Sequence, residues 1–238
     1  RKLLEDVGIE VGSRVVEIHD VKDESVIPDG LSPNQLSETA DTSPVRCLDK
    51  DAETAMIATI DDAKTAGDSV GGIFEVIATG LPYGLGAHTQ WDRKLHTRIT
   101  AMMMSVNAFK GIEIGGGFSG TEKFGSEVHD EIGYDGEKFT RYSNNAGGIE
   151  GGMSNGQDII LSATMKPIPT LVKPLKSVDI KSMQKLLAHK ENQEVFKPHL
   201  LEEMMILYDS QQKLFEIIQQ NKITSLIAPK PSCKALTT

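Results

Sequence analysis

The 238 residues carry a formal net charge of −9, are 39% hydrophobic and 25% charged, and include two cysteines. That balance excludes a disordered chain and a general nucleic-acid binder, which needs a basic face. The distant Cys47 and Cys233 form neither a disulfide framework nor a metal-ligand spacing and fit a reducing cytoplasm, and no apolar run reaches the ~18 residues of a membrane span.

The chain opens on Arg1 without a signal-peptide pattern, and RKLLEDVGIEV reads as the end of a helix running into a strand. The beginning is therefore expected to be a cut within a longer fold. Residues 9–18 alternate loosely and predict a strand. Residues 23–45, with Pro28, Gly30, Pro33 and Pro44 among polar residues, predict a long surface loop. Met56, Ile57, Ile60 and Ala63 fall at helical spacing, which predicts a helix over 51–64, with Asp51 as N-cap and Gly67 as stop. GGIFEVIATG at 71–80 predicts a strand, and LPYGLG at 81–86 a turn. A second helix is expected over 92–109, with Leu95, Ile99, Met102, Met103 and Val106 as its apolar stripe. Its run of methionines at 102–104 reads as core filling. Residues 111–156 are dense in glycine, a strand follows at 158–165, and KPIPTLVKPL occupies 166–175. Beyond about residue 185 the glycines stop. Leu201, Met204, Tyr208, Phe215 and Ile218 give a long helical pattern after Pro198, with Gln211 and Gln212 breaking its stripe. The order strand, helix, strand, helix, strand predicts mixed α/β layers.

Three places could carry chemistry. The glycine-rich region permits positive φ and close approach of backbone N–H groups to a flat ring or a phosphate, or it is simply a series of turns. Lys166, at a strand end before a rigid Pro-x-Pro turn and Thr170, could hold a phosphate or a flavin edge, or be a solvated surface lysine. Asn107 could cap the methionine-rich helix or present its amide to a polar ring. Among His19, His88, His96, His129, His189 and His199, none pair at i,i+4 for a metal. No GxSxG and no dinucleotide fingerprint with its strand and helix context is found. The residues by themselves describe an α/β domain with a glycine-rich ligand surface.

Longer motifs sharpen this. GDSVGGIFEVIATGLPYGLG at 67–86, QWDRKL at 90–95, SVNAFKGIEIGGGF at 105–118, GSEVHDE at 125–131, NNAGGIEGGMSNG at 144–156 and MKPIPTLVKPLKSVDI at 165–180 resemble chorismate synthases, in order and spacing, over residues 1 to about 185. The wording is nearest to the Gram-positive branch. The resemblance implies a β-α-β sandwich of the α/β (α+β) class, incomplete here. It implies a carbon–oxygen lyase of the shikimate pathway of aromatic amino acid biosynthesis. The family converts 5-enolpyruvylshikimate 3-phosphate to chorismate and phosphate by trans-1,4-elimination, using reduced FMN. It further implies a cytoplasmic homotetramer with a flavin reductant and NADP as associated partners, and no nucleic acid, membrane or metal.

Carried over residue by residue, the flavin contacts are Asn107, Ala108, Gly151, Lys166, Pro167, Ile168, Pro169 and Thr170, expected to form one site. The family's Gly-Glu-Ser-His-Gly opening, Arg-rich segment and Arg-Ser-Ser motif find no counterpart here. The expected catalytic histidines lie upstream of Arg1, so no catalytic residue is assigned. Residues 1–185 are expected to be the C-terminal portion of the enzyme domain and 186–238 a divergent helical tail. There, HKENQEVFKPH at 189–199 puts Asn192 near where the family has an arginine. A non-catalytic remnant that keeps only part of the flavin surface is the alternative.

Overall fold

A one-turn helix α1 (Lys2–Glu5) leads into β1 (Glu10–Ile18), which turns back through β2 (Val21–Lys22). Then come α2 (Pro33–Ala40), α3 (Lys50–Ala66), β3 (Gly72–Thr79), α4 (Leu95–Met104) and β4 (Phe109–Ile114). An excursion follows with α5 (Gly125–Val128) and the short strands β5 (Ile132–Tyr134), β6 (Phe139–Arg141), β7 (Ile149–Glu150) and β8 (Met153–Ser154). The chain re-enters the main sheet as β9 (Ile159–Met165), and beyond it β10 (Lys176–Val178) pairs with β11 (Lys185–Leu187). The computed structural model describes residues 2–28, 30–169, 171–173, 175–178 and 185–187. The architecture is the expected mixed α/β type. The helix expected at 199–221, and the 186–238 tail apart from the end of β11, lie outside the described residues.

The five-stranded sheet has the order β2-β1-β3-β9-β4, with every neighbouring pair antiparallel. Register aligns apolar residues into rows on one face. Val15, Phe74, Ala163 and Ile112 oppose one another across the strands, and Val76, Leu161 and Ile114 form the next row. Phe74 is 1% exposed, and its ring lies 5.2 Å from that of Phe109. Met56 of α3 and Met103 of α4 are fully buried in the same cluster. Of the methionine run, Met103 is core, Met102 packs partly against it, and Met104 is exposed.

On the other face, Arg14 stands opposite Glu75, with the guanidinium 3.2 Å from the carboxylate and a second bond of 2.8 Å to the Ser25 carbonyl. The outer edge of β1 is closed as well. Its Ser13 N–H donates to the Ser37 hydroxyl (3.1 Å) and its Val15 N–H to the Arg46 carbonyl (2.9 Å). Such closure blunts an edge that would otherwise pair with another chain.

Three expectations are corrected. The stretch 23–45 is not all loop, because it contains α2. Ser32 and Gln35 form a capping box, Pro33 occupies the first turn, and Leu36 and Ala40 are buried. Gly12 makes room for this helix, since a Cβ there would stand 2.0 Å from the Pro33 carbonyl oxygen. The cap of α3 is Asp49 rather than Asp51; its carboxylate accepts from the Ala52 N–H at 2.7 Å. Gly67 does end α3, in the left-handed conformation at φ 71°. The second helix stops at Met104 and not at residue 109, because Phe109–Ile114 is a strand paired with β9. Among the described residues, no helix is long and apolar enough to cross a membrane, and no cluster of three metal-ligating side chains occurs.

Burial separates two phenylalanines sharply. Phe74→Ala should cost about 3–5 kcal/mol of stability in urea unfolding, because it opens a cavity in the core. Phe139→Ala, at a position 81% exposed, should stay within about 0.5 kcal/mol.

Candidate functional site

The antiparallel sheet delivers the expected site residues to two places, one at each end of β9. At the C-terminal end of β9, Met165 pairs with Phe109 and the Lys166 N–H donates to the Ala108 carbonyl at 3.0 Å. This bond brings Asn107 and Ala108 against Lys166, although they lie far apart in sequence. The expected cap role of Asn107 is not seen, since Ser105 is the C-cap of α4. The chain reverses instead through Ala108, whose φ of 70° is left-handed, a conformation costly for a residue with a Cβ.

Past Lys166, the proline segment folds back across the start of β3. Gly71 has no side chain to obstruct it; a Cβ there would lie 2.4 Å from the Met165 carbonyl oxygen and 2.9 Å from Pro167 Cδ. The Ser69 hydroxyl then donates to the Ile168 carbonyl at 2.7 Å. Asn107, Lys166, Pro167 and Pro169 are exposed, and Ala108 and Ile168 half-buried. Thr170 lies outside the described residues. Near Ser69 there is a cavity of about 450 Å³ whose lining includes Asp20, Asp62 and Asp68. These three carboxylates give that side of the sheet an acidic character, in contrast to the exposed Lys166.

At the N-terminal end of β9, the glycines pack backbone against backbone. A Cβ on Gly115 would lie 2.2 Å from the Asn145 carbonyl oxygen, and one on Gly147 would lie 2.2 Å from Gly115 N. Gly151 differs. With Gly152 it forms the turn between β7 and β8, both at positive φ (58° and 90°), yet a Cβ on Gly151 would meet nothing within 4 Å. The surface over Gly151 is thus open for a ligand to reach the backbone. Gly152 anchors the turn, its carbonyl accepting from Leu95 N at 2.7 Å. That places Gly151 at the start of α4, while Asn107 follows its end. Ten residues of helix separate them, about 15 Å along the axis. The structure therefore brings Asn107, Ala108 and Lys166–Pro169 together, and does not bring Gly151 into contact with them.

Sequence reasoning passed over the polar residues that hold this second surface. The Asp130 carboxylate accepts from the Ser143 hydroxyl (2.5 Å), Asn145 N–H (2.7 Å) and Ala146 N–H (2.9 Å). Burial pushes its pKa up, but these bonds and the nearby Arg141 outweigh that and hold it below the ordinary carboxylate value. Arg141 pairs with Glu150 at 2.6 Å, and Asn155 Nδ2 donates to the same carboxylate at 2.9 Å. The Ser154 hydroxyl donates to the Pro82 carbonyl (2.5 Å) and accepts from Leu85 N–H (2.8 Å), fastening the 81–86 turn. The available signal was the Asn-Asn before Ala-Gly-Gly, a turn-forming pattern.

The protein-family model described as chorismate synthase matches residues 1–199. Chorismate synthase 2 of Bacillus cereus is 51% identical over 181 residues, covering 76% of this chain and 46% of that protein. Chorismate synthase of Bacillus cytotoxicus is 48% identical over 189 residues, covering 79% of this chain and 48% of that protein. A crystal structure of a chorismate synthase is similar with a TM-score of 0.65 and 43% identity, over 71% of this chain and 52% of that one. The chain spans about half the length of the curated relatives it matches.

Two glycine substitutions should separate packing from access. Gly115→Ala should abolish the native turn, with loss of slow amide exchange at residues 145–148, because backbone atoms occupy the space a Cβ needs. Gly151→Ala should keep the fold and cost about 1–2 kcal/mol, the strain of a left-handed alanine, read by thermal unfolding.

Proposed function

The chain belongs to the chorismate synthase family, and we propose that it carries a flavin-binding surface of the enzyme that turns 5-enolpyruvylshikimate 3-phosphate into chorismate and phosphate. The observation that carries this reading is the 3.0 Å bond from Lys166 N–H to the Ala108 carbonyl. It joins two segments, 107–108 and 166–169, that lie far apart in sequence and that the resemblance assigns to one flavin site.

The residues present fit such a group. Gly71 lets the proline segment cross the sheet, Lys166 adds a cation at the exposed edge, and the turn at Ala108 sets the exposed Asn107 next to that junction in the chain. When bound at these residues, reduced FMN would supply a transient electron donor for the elimination, with no net redox change. The chain's own part is to bind and orient. A lysine beside the flavin favours an anionic ring or phosphate, and the prolines fix the loop before binding, so less entropy is lost. Gly151 is the second contact, reached by a mononucleotide that extends along α4 from the Lys166 end. The same reading takes the intact enzyme as a cytoplasmic homotetramer supplied by a flavin reductant that draws on NADP.

The test is a titration of FMN into this chain, followed by flavin fluorescence. Lys166→Glu should weaken binding by about tenfold or more, the value of a lost charge-assisted contact, while Lys123→Glu in the excursion should leave it unchanged. Equal affinities for wild type and Lys166→Glu would remove Lys166 from the site.

A further inference from the structure

The excursion between β4 and β9 has almost no apolar core of its own. Among its described residues Ile149 is the one buried apolar side chain, whereas Phe118, Phe124, Tyr134, Phe139 and Tyr142 are all exposed. Its shape therefore rests on polar bonds, and these converge on Asp130. One carboxylate receives the Ser143 hydroxyl and the N–H groups of Asn145 and Ala146. The turn so held is pressed against the 115–117 glycines, because the Gly116 N–H donates to the Asn145 carbonyl at 2.8 Å. From there the bonding runs on towards Gly151. The Gly148 carbonyl accepts from Asn155 N–H at 3.0 Å, and Asn155 in turn holds Glu150, the residue before Gly151. Arg141 closes the loop by bonding both the Asp130 carbonyl (3.3 Å) and the Glu150 carboxylate (2.6 Å).

We propose that Asp130 is a positioning residue for the Gly151 surface: its carboxylate fixes the 143–146 turn, and that turn sets where the β7–β8 hairpin presents Gly151 to a bound flavin. The inference rests on the flavin reading above. Two of the three groups bonded to the carboxylate are backbone N–H donors, so an amide in its place cannot satisfy both without turning its own NH₂ towards a donor. Losing a charge-assisted acceptor of this kind loosens the turn locally, since no apolar packing beneath it takes over.

Asp135 provides the matched control. Its carboxylate also accepts two backbone N–H bonds, from Glu137 and Lys138, both at 2.9 Å, but in the β5–β6 turn, which makes no bond to Glu150. The experiment compares the full chain with Asp130→Asn and Asp135→Asn, reading amide exchange over residues 145–152 and FMN affinity by fluorescence. Asp130→Asn should speed exchange at Asn145 and Ala146 by about tenfold or more and weaken FMN by a similar factor. Asp135→Asn should leave both within about twofold. The proposal is overturned if Asp130→Asn speeds exchange but binds FMN like wild type, which would make the carboxylate a local staple only. It is equally overturned if Asp135→Asn weakens FMN as much. A wild-type chain that does not bind FMN overturns the flavin reading and this inference with it. That case is recognisable, because exchange at Asn145 and Ala146 still responds to Asp130→Asn.

Discussion

The placement of β9 between β3 and β4 is the constraint on which the rest depends. Its residues pair on both sides, Ala163 with Phe74 and with Ile112, and Leu161 with Val76 and with Ile114. A strand with period-2 side chains that is buried on one face and paired on both edges cannot slip by one residue without turning its apolar row to the wrong side. Both ends of β9 are thereby fixed. One end emerges at Lys166, beside Ala108. The other receives the chain from the glycine turns that carry Gly151. The two surfaces of interest are the two exits of one strand.

The glycines divide by physical cause. Gly115 and Gly147 are needed because neighbouring backbone occupies the place of a Cβ, and Gly71 because the proline segment crosses there. Gly151 is needed for its turn, and its open side is left free. A glycine-dense region is thus neither one ligand cradle nor merely a set of turns. Close packing gives it a rigid floor, and one turn presents bare backbone. The charges agree with this division. Lys166 stands at an exposed strand end, whereas the lining of the nearby cavity includes Asp20, Asp62 and Asp68.

Much of this was legible in the sequence. Strands were expected near 9–18, 71–80 and 158–165, where β1, β3 and β9 lie, and α3 announced itself by spacing and by its Gly67 stop. The loss of α2 into a supposed loop has a plain cause. Proline and serine signal both a loop and a helix start, and only the burial of Leu36 and Ala40 decides between them. Strand β4 was hidden because Lys110, Gly111 and Glu113 give it no clear alternation and its partner lies far along the chain. At the site, the 107–108 and 166–169 segments were found by resemblance, but their direct bond is a tertiary fact. Asp130 was invisible for the same reason: a lone aspartate gives no hint that it will gather three donors from residues 143–146.

The family assignment and the geometry meet at the Ala108–Lys166 junction, where a reversed helix end and a strand end share one hydrogen bond. The most direct measurement is a map of backbone amide shifts in the isotopically labelled chain as FMN is added. The expected result is that the largest changes fall on Asn107, Ala108, Lys166 and Ile168, with smaller ones at Gly151. Changes confined to the aspartate-lined cavity around Asp62 and Asp68, or to the aromatic β5–β6 hairpin, with the junction silent, would contradict it.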